Sequence, residues 1–266
     1  MITFDNVHFG YGEGETIHGI NANIEKGDFV ALIGSNGAGK STFVKLCNGL
    51  LKPSAGTVKI LDKDTKSVKT SELAKHIGFL FQNPDSQICC NTIREELAFN
   101  LKNAKLPEKE ITERVESALK EFDLNGDFEP FNLSRGQRQK LCLASIIALA
   151  PEIMILDEPT TGLDYRECIE LMNKIKELNE KGTTVVMVCH DMEIVLDYAK
   201  SVIVMTDGVA IAAGATRDIL QNNEILQKAR LLPPQIAETA MKVGEGFEDI
   251  FTVQEMISKI VEKVGN

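Results

Sequence analysis

An α/β fold centred on a parallel sheet is predicted by two features of the sequence. Four short apolar runs, Phe29 to Ile33, Ile153 to Leu156, Thr184 to Cys189 and Val202 to Met205, have the near-continuous hydrophobicity of strands buried on both faces. Helical segments separate the second run from the third, and strands alternating with helices imply parallel pairing through right-handed crossovers. The composition agrees: of 266 residues 43% are apolar and 26% charged, with 29 basic against 39 acidic residues for a net charge of −10. This is a globular chain, and disordered, integral-membrane and small disulfide-stapled classes are excluded. At roughly 150 residues per domain it has room for one large α/β domain with a modest appendage.

Taken in order, the first sixty residues are rich in strands: Ile2 to Phe9, Gly19 to Ile24, Phe29 to Ile33 and Thr57 to Leu61. One helix, Lys40 to Leu51, interrupts them and is closed by Pro53 and Gly56. Thr92-Ile93-Arg94-Glu95 opens another helix as a capping box, and Ile111, Val115, Leu119 and Phe122 mark a second at helical spacing, so a helical insert begins here. Ser134 reads as the N-cap of a helix continuing through Leu141 to Ala150. Asp207-Gly208 predicts a tight antiparallel hairpin between Val202 to Met205 and Val209 to Ile211. Pro233-Pro234 breaks the last fifty residues. Thr252-Val253-Gln254-Glu255 then opens a final helix, whose stripe of Val253, Met256, Ile257, Ile260, Val261 and Val264 is expected to pack against its own chain, with a partner-binding helix as the alternative.

The longest apolar run, Leu141 to Ala150, stops at Pro151, short of the roughly 20 residues a spanning helix needs. The N-terminus has neither a basic start nor an apolar core, so a cytoplasmic location is expected. The six cysteines form no C-x-x-C pair and lie mostly in apolar runs, so buried thiols of a reducing compartment are expected rather than metal ligands. The acidic balance argues against nucleic acid or anionic lipid as partners.

Gly34-Ser35-Asn36-Gly37-Ala38-Gly39-Lys40-Ser41-Thr42 fits G-x-x-x-x-G-K-[ST] between a strand and a helix, where a phosphate loop must sit. Its glycines let backbone N–H groups close around phosphates, Lys40 reaches the β and γ phosphates, and Ser41 ligates magnesium. Ile153 to Leu156 ends in Asp157-Glu158, an acid pair that is costly at the end of a buried strand unless it meets cations or donors. Asp157 is the candidate for magnesium contact through water, and Glu158 for the general base. Thr184 to Cys189 delivers His190 in the same way, at the strand ends that face ligand in such sheets. Arg135, Arg138 and Lys140 crowd the first two turns after Ser134, where the helix dipole favours anions. An approaching anion and a solvated basic face explain them about equally.

Leu133-Ser134-Arg135-Gly136-Gln137 resembles the signature motif of the ATP-binding-cassette (ABC) ATPase family, with the phosphate loop and Asp157-Glu158 flanking it in that family's order. Arg135 stands where the family usually has glycine. The resemblance covers about residues 1 to 215. It implies a nucleotide-binding domain with an N-terminal antiparallel β subdomain and a helical insert at about 92–150, followed by a C-terminal helical appendage over 216–266. Residue by residue, Tyr11 resembles the aromatic that stacks on adenine, and Gln82 the glutamine that touches magnesium and water. Asp164 resembles a dimer-contact residue and His190 the switch histidine on the γ phosphate. The family implies head-to-tail dimers with a second ATPase subunit, identical or homologous, in which Ser134, Arg135, Gly136 and Gln137 act on the partner's ATP. That would give the basic helix start its anion.

Gln82-Asn83-Pro84-Asp85-Ser86-Gln87, Thr92 to Phe99 and the tail around Leu232-Pro233-Pro234-Gln235-Ile236 are similar to ATPase subunits of energy-coupling-factor importers of vitamins or of cobalt and nickel ions. Cys89, Cys90 and Asn91 depart from that subfamily's usual bulky, small, proline run. The implied partners are a transmembrane coupling protein and a substrate-binding membrane subunit, and the implied location is the cytoplasmic face of the cell membrane. The rival reading is a soluble ABC ATPase acting on a non-transport complex. Translation-type members usually carry two cassettes, DNA-repair types place a long coiled coil before the carboxylate strand, and neither pattern occurs here.

Overall fold

The computed structural model describes residues 1–12, 14–244, 246, 247 and 249–264, with the backbone alone at 264. The chain runs through β1 (Ile2–Tyr11), β2 (Gly14–Ile24), β3 (Phe29–Gly34), α1 (Lys40–Cys47), β4 (Ala55–Ile60), β5 (Lys63–Asp64), α2 (Thr70–Leu73) and β6 (Ile77–Leu80). There follow α3 (Ile93–Asn103), α4 (Glu108–Glu121), α5 (Arg135–Leu149), β7 (Ile153–Asp157), α6 (Tyr165–Glu180), β8 (Thr184–Val188), α7 (Met192–Tyr198), β9 (Ser201–Thr206) and β10 (Val209–Ala215). The last elements are α8 (Thr216–Gln221), α9 (Asn223–Ala229), α10 (Gln235–Val243) and α11 (Val253–Val264).

The central sheet has the order β10-β9-β3-β8-β7-β6 and is parallel except at edge strand β10. Alternate residues of its buried strands serve two different cores. Phe29, Ala31, Ile33, Met154, Leu156, Val185 and Met187 face one core, built with the helices from α3 onward. Val30, Leu32, Ile153, Ile155, Val186 and Val188 face the other. Because side chains alternate with a period of two, a strand covered on both faces reads as an unbroken apolar run. The second core is closed by α1 and by an antiparallel sheet, β2-β1-β4-β5, as expected for the N-terminal part. Phe4 of β1 stacks on Phe43 of α1 with centroids 4.4 Å apart and planes at 5°. Such a pair adds about 0.5–1.5 kcal/mol beyond its buried area.

Local chemistry sets the boundaries. The hairpin at Asp207-Gly208 forms as predicted, with φ of 45° and 77° at the two residues, the positive pair a type I′ turn requires. α1 ends at Cys47 rather than Leu51, because Gly49 turns left-handed at φ 70°. β2 begins five residues before Gly19: that glycine, at φ 63°, lies within an irregular stretch of the β1–β2 ladder and does not start the strand. A short helix, α7, also separates β8 from β9, which the sequence pattern did not show.

The predicted capping box at α3 is present. Thr92 Oγ1 accepts from the Glu95 N–H at 3.2 Å and the Thr92 N–H donates to Glu95 Oε2 at 3.2 Å. Thr92→Ala is expected to cost about 1 kcal/mol, read as a lower urea midpoint at unchanged slope.

The final helix corrects an expectation. Met256 packs with Ala240, Phe247 and Ile250, but Val253, Ile257, Ile260 and Val261 are 46–64% exposed, and the side chain of Val264 lies outside the described residues. Ala240, Phe247 and Ile250 make a cluster of their own, too small to cover more than one edge of the stripe. The thiols also divide: Cys47, Cys142, Cys168 and Cys189 are buried as expected, whereas Cys89 is exposed and Cys90 half-buried. No helix among the described residues is long and apolar enough to cross a membrane.

Candidate functional site

Parallel register brings four strand ends to one edge of the sheet, with Leu32 and Asp157 both opposite Val188 and Leu80 opposite Leu156. Just beyond those ends stand the 34–39 loop, Gln82, Glu158 and His190, at the edge where open α/β sheets bind ligands.

Gly34, Gly37 and Gly39 adopt φ of 149°, 81° and 97°. Gly39 is the N-cap of α1 in the left-handed region, and no side chain caps the helix. The first N–H groups of α1 therefore lack a side-chain acceptor and present their positive end to an anion. Lys40 Nζ donates to the carbonyls of Gly34 at 2.7 Å and Ser35 at 2.9 Å. Burial lowers its pKa, against the opposing pull of the Glu158 and Asp157 charges.

Asp157 ends β7 buried, and its Oδ1 has no hydrogen-bond partner. Burial raises its pKa, and the neighbouring Glu158 charge adds to that; Lys45, the Ser41 hydroxyl and Lys40 pull the other way. An orphaned carboxylate oxygen beside a serine hydroxyl is a hard-oxygen donor set of the kind magnesium takes. Because the buried charge is costly to the fold, Asp157→Asn is expected to stabilise the nucleotide-free chain by on the order of 1 kcal/mol while lowering magnesium-dependent activity. Melting scans with and without magnesium and nucleotide check this.

Glu158 is held in the left-handed region at φ 50°, a conformation that costs a non-glycine residue about 1–3 kcal/mol. Its N–H donates to the Val188 carbonyl at 3.1 Å. Its carboxylate accepts from three side chains: Gln82 Nε2 at 2.7 Å and Thr161 Oγ1 at 3.2 Å on Oε2, and His190 Nε2 at 2.8 Å on Oε1. Three predicted residues from three strand ends thus meet at one carboxylate.

Thr16, Asn36, Gly37, Gly39, Lys40, Ser41, Thr42, Glu158 and His190 line a cleft of about 220 Å³. Sequence reasoning missed Thr16, which carries no motif, and Thr161. Tyr11 is exposed, edge-on to Phe9 with centroids 4.9 Å apart, and is not part of this lining. Nor are Ser134 to Gln137. A cavity of about 270 Å³ does lie against Gly136 and Gln137, but none of the phosphate-loop residues lines it.

Ser134 caps α5 as expected, in a capping box with Gln137: its Oγ accepts from the Gln137 N–H at 3.2 Å and its N–H donates to Gln137 Oε1 at 2.9 Å. A Cβ on Gly136 would lie 2.4 Å from Glu167 Oε1. Glu167 in turn pairs with Asp164, the N-cap of α6, whose Oδ1 accepts from the Glu167 N–H at 2.8 Å. Arg138 forms an ion pair with Asp85 at 3.0 Å and Lys140 one with Glu170 at 3.8 Å. Arg135 lies against Gly162 and, among the described residues, has no carboxylate partner. The basic helix start therefore reduces to Arg135 and the helix N–H groups.

A family profile described as ABC transporter matches residues 17–161. The chain is 42% identical to the energy-coupling factor transporter ATP-binding protein EcfA1 of Caldanaerobacter subterraneus subsp. tengcongensis, across 98% of each chain. It spans less than half the length of the first curated relatives it matches, covering 45, 42 and 41% of them. Among solved structures it resembles cbiO1 of Clostridium perfringens, described as part of the ABC transporter complex cbiONQ, with TM-score 0.76 and 32% identity over 91% of this chain and 96% of that one. It also resembles an ATP-binding cassette solved as a dimer in a post-hydrolysis state with ADP and phosphate, with TM-score 0.73 and 31% identity over 82% and 99% of the two chains.

Proposed function

Since this chain belongs to the ABC transporter family, we propose that it binds and hydrolyses ATP as one subunit of an energy-coupling-factor importer. In this reading, ATP-driven dimer closure works a transmembrane coupling protein that sits with a substrate-binding membrane subunit. The cargo is a vitamin or a cobalt or nickel ion, and the chain sits on the cytoplasmic face of the membrane. Residues 1–215 form the nucleotide-binding domain, with the insert at about 92–150 reaching toward the partner, and 216–266 form the appendage.

The observation that best supports the ATPase part of this reading is the Glu158 carboxylate clamped by Gln82, Thr161 and His190 at the mouth of the phosphate cleft; the importer part is supported by the likeness to an energy-coupling factor ATP-binding protein. Gly34, Ser35, Asn36, Gly37, Ala38, Gly39, Lys40, Ser41 and Thr42 hold the triphosphate by backbone N–H groups, the Lys40 charge and the dipole of α1. Tyr11 stacks on the adenine. Ser41, Gln82 and Asp157 would hold magnesium, which when bound neutralises phosphate charge and fixes phosphate oxygens. Glu158 takes the proton of a water whose oxygen bonds to the γ phosphorus as the bond to the bridging oxygen breaks, giving ADP and phosphate. His190 steadies that carboxylate and meets the γ phosphate.

Ser134, Arg135, Gly136 and Gln137 stand outside the chain's own cleft, which supports their use on a partner's ATP across a head-to-tail dimer in which Asp164 is a contact. The tagged chain, isolated from native membranes, is expected to bring hydrophobic integral subunits with it and to hydrolyse ATP only with magnesium. Isolation with ribosomes instead would overturn the transport reading and leave the ATPase reading standing.

A further inference from the structure

We propose that Cys89, Cys90 and Glu96 form a binding site for a soft divalent cation of the zinc class, with three protein donors and a fourth position open. The two thiols are the ones that are not fully buried, and their sulfurs lie 3.9 Å apart. Two thiolates on one tetrahedral zinc, each at about 2.3 Å, are roughly 3.8 Å apart, so the pair is already at chelating distance. One donor atom from each of the three residues lies within 4.8 Å of the other two.

Glu96 strengthens the case. It is 3% exposed, near the start of α3, and its Oε2 accepts the N–H groups of Cys89 at 2.9 Å and Cys90 at 3.0 Å. Among the described residues no Lys, Arg or His forms an ion pair with it. A buried carboxylate without a cation is costly, and its two backbone donors only partly offset that cost. The same bonds fix the backbone of the cysteine pair around the carboxylate. Binding would displace the two thiol protons, so that the dication holds together two thiolates and a carboxylate. Two sulfurs and one oxygen select zinc or cadmium over magnesium or calcium. Binding would tie the turn after Gln82 to the capped start of α3.

The test uses the full chain, freed of metal with a chelator and titrated with cadmium alone, following the ultraviolet thiolate-to-metal charge-transfer band. One equivalent is expected. The band should vanish in the Cys89→Ser, Cys90→Ser double variant, and Glu96→Gln, which keeps an acceptor for both N–H groups, should weaken binding by about tenfold or more. In the unaltered chain cadmium should slow alkylation of Cys89 at least tenfold, a reading that needs no variant to fold. A missing band, unchanged alkylation, or equal binding by the double serine variant would overturn the site.

Discussion

Glu158→Gln is expected to lower ATP hydrolysis by about 10² to 10⁴-fold while leaving ATP affinity within a few-fold of the unaltered chain. The amide keeps the size and one acceptor oxygen, so the bond from Gln82, at 2.7 Å in the unaltered chain, has a counterpart, while the new NH2 group faces His190 Nε2, which can accept it in its other tautomer. It removes the basic oxygen that takes the proton of water. Because closure would then no longer be followed by cleavage, the variant with ATP should accumulate as a dimer, visible as a shift to twice the mass in light scattering. Steady-state phosphate release and nucleotide titration separate the two effects. Turnover within a factor of ten of the unaltered chain would remove Glu158 from its role as base.

The second large effect lies in the fold. Gly34→Ala places a Cβ 2.1 Å from the Met205 carbonyl oxygen, at a residue whose φ is 149°. Here the obstacle is backbone: Gly34 sits opposite Met205 in the β3–β9 ladder, so neither strand can yield without losing register. A loss of about 3 kcal/mol, together with loss of nucleotide binding, is expected. Gly37→Ala is the control. Gly37 has φ 81° in open space, so only conformational strain of about 1–2 kcal/mol applies. Urea midpoints of the two variants should therefore differ clearly, and equal midpoints would mean that β9 moves aside at Gly34.

What the sequence made legible depended on how local the signal was. The phosphate loop is nine consecutive residues whose glycines, lysine and hydroxyls state their own chemistry. Glu158 and His190 are legible as polar residues at the ends of apolar strands and Gln82 through its resemblance to the family's glutamine, but their meeting at one carboxylate follows from strand register, which no single strand encodes. Thr16 belongs to no pattern, Thr161 stands in the loop before Asp164 without a role its residue type announces, and a left-handed Glu158 goes against the preference of its residue type. The α11 stripe was misjudged because a periodic pattern reports which face is apolar and not whether enough core remains to cover it. Cys89 and Cys90 stood apart for a related reason: the apolar run of residues 88–90 ends at a surface turn.

The Glu158 carboxylate is a junction between separate stretches of chain. Its two oxygens are shared among Gln82, Thr161 and His190, which arrive from different stretches of chain. An ionised carboxylate has about four lone-pair positions, so with three taken a single further donor, such as a water, finds one place left beside them. A donor arriving there would meet a group already tied to Gln82, 76 residues away in sequence, so local chemistry at one oxygen is joined directly to a distant stretch of chain.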